Sequence, residues 1–231
     1  MSRAPRAAFV LPLLLSLATA APLLAAGVRG TEIERVLREV AAAQKDVRTL
    51  EASFRQEKTS GLLAAPEVSF GTFVFSRPNR AMWRYEKPKA VEMLVSDGWM
   101  TTWYPELNRA ERIEVKRYEE RIFRYLGATA GAIADLDAYF DFRLVNVKAK
   151  PYYTLILTPK GDRVARRVRR IEVNVDRNTF LTTSLDFTEG DGDRTRYDFS
   201  SIRVNEPVSQ NRLKLSLPST VKVETLPAAG K

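Results

Sequence analysis

A chain of 231 residues with a formal charge of +9, no cysteine and no histidine excludes disulfides, thiol chemistry, histidine acid–base catalysis and the usual transition-metal sites. Stability must come from a packed core, which a chain of this length can supply. The positive excess suits lipid headgroups, nucleic acid or an acidic protein, and equally suits a solvated surface with no dedicated partner.

Arg3 and Arg6 precede an apolar run from Ala7 to Ala18, and small residues follow at Ala20 and Ala26. A basic start, short apolar core and small-residue cleavage site read as a secretory leader over residues 1–26, cut after Ala20 or Ala26. Pro12 interrupts the core, which is too short for a comfortable membrane anchor. Without a cysteine after it, lipid acylation of the mature chain is excluded. The expectation is a soluble exported protein in the periplasm, one domain by length. Export argues against nucleic acid.

Thr31 followed by Glu34 forms a capping box, and Ile33, Val36, Leu37, Val40 and Ala41 make one helical stripe. Strand patterns then follow in chain order: Leu50 to Lys58, Phe70 to Ser76, Arg80 to Tyr85, Val91 to Ser96, Met100 to Tyr104 and Glu111 to Lys116. Arg77-Pro78-Asn79 and Asp97-Gly98 are turn signals between them. After a helical interlude from Tyr118 to Phe140 come Phe142 to Lys148, Tyr152 to Thr158, Val168 to Val175, Phe180 to Phe187, Arg194 to Val204 and Leu213 to Leu217. Hairpin-linked strands at this density predict one extensive antiparallel sheet that curls toward a half-barrel, with no parallel crossovers and with helices over the open side.

Phe54, Phe73, Phe75, Ala81, Trp83, Tyr85, Leu94 and Trp103 are expected on the concave side. They either form an ordinary core or line an apolar cavity for a guest. The carboxylate pairs Asp135/Asp137 and Asp191/Asp193 fit a helix start and a hairpin tip. No calcium loop is formed by Asp191-Gly192-Asp193, and no pair stands out as catalytic, so an enzyme is not expected. Arg163, Arg166, Arg167, Arg169 and Arg170 read better as the solvated face of a hairpin than as a docking patch for anionic lipid.

Leu50-Glu51-Ala52-Ser53-Phe54-Arg55-Gln56-Glu57-Lys58, Gly71 to Phe75, Arg77-Pro78-Asn79, Trp83, Leu94 to Gly98, Tyr104-Pro105, Leu157 to Lys160, Ile171 to Val175 and Arg194 to Tyr197 together resemble the LolA family of periplasmic lipoprotein carriers. Residues 27–231 would then form a single LolA-like domain. The resemblance implies an incomplete antiparallel barrel closed by helices, α+β but mainly β, around a cavity for acyl chains. It also implies delivery from an inner-membrane ABC transporter to an outer-membrane acceptor. Arg77 occupies the position of the family's lid-tethering arginine, and Ile122, Phe123, Tyr125, Leu126, Leu136 and Phe140 correspond to the lid. Arg80 and Ala81 depart from better-known members, which points to a wider or more polar mouth with Arg80 as a second tether. No cofactor or metal is expected, and the protein is expected to act as a monomer. The alternatives are a carrier of glycolipid or phospholipid, and a periplasmic sensor or scaffold domain of the same fold.

Overall fold

The computed structural model describes residues 31–116 and 136–227. The leader over residues 1–26 and the lid positions Ile122, Phe123, Tyr125 and Leu126 lie outside those residues. Helix α1 (Glu32–Lys45) precedes strands β1 (Thr49–Thr59), β2 (Glu67–Ser76), β3 (Arg80–Lys87), β4 (Val91–Ser96), β5 (Trp99–Tyr104) and β6 (Arg109–Glu114). Strands β7 (Phe140–Val145) and β8 (Tyr152–Pro159), the single turn α2 (Asp162–Ala165), and strands β9 (Val168–Asp176), β10 (Thr182–Glu189), β11 (Arg194–Val204) and β12 (Val223–Leu226) follow. All twelve strands form one open sheet in the order β12-β6-β5-β4-β3-β2-β1-β11-β10-β9-β8-β7, a half-barrel that does not close on itself.

Local sequence explains most of these boundaries. The Thr31 backbone donates to Glu34 Oε2 at 2.9 Å and Glu34 N–H donates to Thr31 Oγ1 at 3.4 Å, the reciprocal bonds of a capping box. At the β4–β5 turn, Asp97 and Gly98 both adopt positive φ, 54° and 81°, the conformation a two-residue hairpin turn demands. Asp176 Oδ1 accepts from the backbones of Asn178 and Thr179 at 3.0 and 2.8 Å and so builds the β9–β10 turn. Those bonds hold its carboxyl below the usual aspartate range.

Two apolar clusters share the concave face. In the first, Phe54, Phe73, Phe75, Ala81, Tyr85, Met93, Val95 and Met100 pack together from β1 to β5. In the second, Val36 and Val40 of α1 press onto Phe140, Tyr153, Leu155, Leu157 and Val175. Arg35 of the same helix donates to Tyr153 Oη at 2.9 Å, and the Arg177 guanidinium stacks 4.1 Å from the centroid of that ring.

Three expectations need correction. Leu213 to Leu217 is not a strand. A 3₁₀ turn at Gln210–Leu213 opens a strap across the convex face, and Leu213 and Leu215 pack there on Val74, Met82 and Leu94. Their alternation reflects lying on a surface rather than pairing, because Arg84 occupies the strap's carbonyls. Its guanidinium donates to Arg212 O at 2.7 Å and to Lys214 O at 3.1 Å. The strap then adds β12 parallel to β6, the exception to an otherwise antiparallel sheet. Finally, Leu136 and Phe140 belong to the cluster beneath α1: Phe140 opens β7 opposite Pro159 and is buried, while Leu136 packs beside it. Strand pairing fixes Phe140 in the wall rather than in a lid.

Candidate functional site

Which residues face the concavity follows from register, since side chains alternate strictly along each strand. Leu50, Ala52 and Phe54 of β1 lie opposite Phe75, Phe73 and Gly71 of β2, and Phe73 and Phe75 lie opposite Trp83 and Ala81 of β3. Rings meet closely: Phe73 and Trp83 have centroids 4.7 Å apart, and Phe54 meets Tyr85 edge-on at 5.0 Å. Phe54, Phe73, Phe75, Ala81 and Tyr85 are all buried, and Trp83 packs half-exposed against them. The structure therefore brings six of the expected cavity residues together as a packed wall.

Leu94 and Trp103 are not among them. The Asp97-Gly98 turn sets Ser96 opposite Trp99, Leu94 opposite Thr101 and Glu92 opposite Trp103. Leu94 also pairs with Met82, so both side chains face the convex side. Inward positions of β4 and β5 go instead to Met93, Val95, Met100 and Thr102.

The surface that sequence reading missed lies between the two clusters. Leu185 stands opposite both Val173 and Tyr197, and Phe187 stands opposite Ile171. These side chains, with Phe199, share the concave face and are each only half-buried. Ile171 and Val173 lean on the α1 cluster, and Tyr197 and Phe199 on the aromatic one. Leu185 and Phe187 pack into neither cluster among the described residues. An apolar strip thus runs along β9–β11 with packed walls on either side. Burying such a strip under a guest hydrocarbon is favourable by about 25 cal/mol per Å² of apolar surface removed from water.

Polar groups at the strip's margins are few and specific. Gln56 donates to Tyr197 Oη at 3.0 Å, and Tyr197 and Tyr85 hydroxyls lie 3.4 Å apart. Burial pushes both phenols above their ordinary range, so each stays protonated and able to donate. On α1, Gln44 follows Val36 and Val40 on the buried stripe and is 3% exposed, yet its Oε1 has no hydrogen-bond partner among the described residues. A buried acceptor without a donor is costly, by about 1–3 kcal/mol.

Arg77 sits in the β2–β3 turn and reaches the far end of α1. Its Nε donates to Val47 O at 2.7 Å and its Nη2 to Lys45 O at 3.0 Å, supplying positive charge where the helix dipole is negative. Arg80 does not share this contact; it lies 4.0 Å from Asp97 across the turn. A hollow of about 320 Å³ adjoins Arg77, Asn79 and Gln210, and another of about 340 Å³ opens at the seam of β1, β2 and β11 beside Phe70, Gly71 and Asp198. No group of histidine, cysteine, aspartate or glutamate among the described residues is arranged to hold a metal ion.

Residues 45–216 match the family described as "Outer membrane lipoprotein carrier protein LolA". An outer-membrane lipoprotein carrier protein of Leptothrix cholodnii is 28% identical over 181 residues, covering 78% of this chain and 80% of that protein. One of the same name from Methylibium petroleiphilum is 29% identical over 188 residues, covering 77% and 83%. Among solved structures, an uncharacterized conserved protein from Thermus thermophilus superimposes with a TM-score of 0.55 at 10% identity, covering 85% of this chain and all of that one, which speaks to the fold alone. With a half-barrel, a helix across its concave face and a family match over well more than half its length, the chain belongs to the LolA family.

Proposed function

We propose that the protein carries lipoproteins through the periplasm, from the inner toward the outer membrane, with the cargo's acyl chains laid along the Leu185–Phe187 strip. The observation that carries this reading is the strip itself: half-buried apolar side chains flanked by two packed walls, in a family named for lipoprotein carriage. Each methylene buried there contributes about 0.8 kcal/mol, so several acyl chains bind tightly without any ion pair. Polar parts of the anchor meet the tyrosine hydroxyls beside the strip. The lid assigned by resemblance to Ile122, Phe123, Tyr125 and Leu126 belongs to the same proposal, as do an inner-membrane ABC transporter that loads the carrier and an outer-membrane acceptor.

Mass spectrometry of lipid co-purifying with protein drawn from the exported fraction tests the cargo. A triacylated or diacylated peptide is expected; free phospholipid or glycolipid alone would overturn the lipoprotein assignment. Arg77 takes the role of fastening α1 beside the strip. Replacing it with leucine leaves the Lys45 and Val47 carbonyls without their donor, so Arg77→Leu is expected to lower stability by about 1–2 kcal/mol. It is also expected to alter cargo retention. Urea denaturation and bound-lipid quantitation read the two effects, and wild-type behaviour in both would remove Arg77 from the mechanism.

A further inference from the structure

The six large apolar side chains that stand exposed among the described residues are not scattered. Leu62 and Leu63 cap the β1–β2 connection, Leu107 the β5–β6 turn, Phe70 lies near the start of β2 opposite Lys87, and Val223 opens β12; only Val147 lies at the other end of the sheet. In the antiparallel register, the ends of β1, β3, β5, β8 and β10 and the starts of β2, β4, β6, β7, β9 and β11 converge on one rim. Parallel pairing of β12 with β6 brings Val223 to that rim too. Leu62 is 96% exposed and Leu107 68%. Exposed leucines gathered at one end make that rim the more apolar end of the sheet.

We infer that this rim docks on a lipid bilayer, with Leu62 and Leu63 entering the headgroup boundary and Leu107 and Phe70 broadening the contact. A bilayer suits apolar tips borne on separate turns, because a plane meets every turn at once, whereas a bound peptide needs side chains lining one trough. Basic side chains flank the tips. Lys87, Lys89, Arg166 and Arg167 are exposed at the same rim and form no ion pair among the described residues, a complement to anionic headgroups. Glu67, Glu86, Glu106, Asp162 and Asp191 are exposed at this rim as well. The rim's charge is therefore mixed, and entry of the leucines supplies most of the attachment, with headgroup attraction secondary.

Docking is read on protein stripped of cargo, which separates it from the carrier reading. In flotation with phosphatidylethanolamine vesicles containing phosphatidylglycerol, the wild-type protein is expected to rise with the vesicles. The double variant Leu62→Asp, Leu63→Asp is expected to lose about tenfold in partitioning, and Val147→Asp at the opposite end is expected to match wild type. Lys87→Glu with Lys89→Glu should weaken attachment to the anionic vesicles while leaving attachment to purely zwitterionic ones unchanged. Circular dichroism on each variant secures the fold. A wild-type protein that fails to float, a double variant that floats equally well, or a protein partner captured through Leu62 without vesicle binding would each overturn the proposal. Cargo occupancy that persists in the double variant while flotation is lost shows that docking and carriage are distinct; wild-type protein that floats but never carries a lipoprotein leaves docking standing and sinks the carrier reading.

Discussion

Leu185→Glu, combined with Phe187→Glu, is expected to reduce acyl-chain retention at least about a hundredfold while leaving the sheet intact. The first half of that expectation rests on placement: both side chains lie on the concave strip between the two clusters. A carboxylate there must be desolvated beneath hydrocarbon or else hold the chain away, and either outcome costs several kcal/mol, about 1.4 for each tenfold. The second half rests on packing. Neither residue belongs to a packed cluster, so the change opens no void, and in cargo-free protein the new carboxylates stay in contact with water. Binding of a fluorescent fatty acid and quantitation of co-purified lipid measure retention. Undiminished binding would show that guest chains lie elsewhere.

Gly71→Ala is expected to damage the fold severely, lowering stability by about 3 kcal/mol or more. A Cβ built on Gly71 would stand 2.0 Å from the Arg84 carbonyl oxygen and 2.7 Å from Cζ of Phe54. A ring can swing aside. The carbonyl cannot, because it belongs to β3, whose pairing with β2 shifts register between Phe70 and Gly71. Glycine at that irregularity lets the neighbouring backbone and the Phe54 ring close over it. Gly61→Ala is the matched control, since nothing lies within 4 Å of its Cβ. Urea unfolding of the two variants should separate them widely; equal midpoints would mean the sheet relaxes around the methyl group.

Much of this architecture is legible along the chain. Arg194 to Val204 and Val91 to Ser96 alternate cleanly and become β11 and β4 with those boundaries, because turn residues delimit them. Thr31 and Glu34 announce α1. The errors have physical sources. Trp103 looks like a concave residue because it is large and aromatic, but a two-residue turn fixes its parity with Glu92, and parity outranks composition. Leu213 and Leu215 alternate as strand residues do, yet their alternation serves a surface that no local pattern reveals. Leu185 and Phe187 were hidden for a related reason. Every strand of a half-barrel has an apolar side, and which stretch stays uncovered depends on where α1 and the aromatic wall stop, a matter of long-range packing. Arg77, by contrast, stood out through its turn motif, and its bonds to Lys45 and Val47 place it at a junction of elements.

The strap held by Arg84 also keeps the outer wall of the sheet covered. Truncation at residue 205 would strip β12 from the flank of β6 and lay bare Val74, Met82 and Leu94 on the outer wall. An unpaired border of hydrogen-bonding groups beside a greasy patch invites stacking into chains of protomers. The C-terminal segment therefore covers the outer wall and leaves the four-residue β12, rather than the six-residue β6, as the sheet's border on that side.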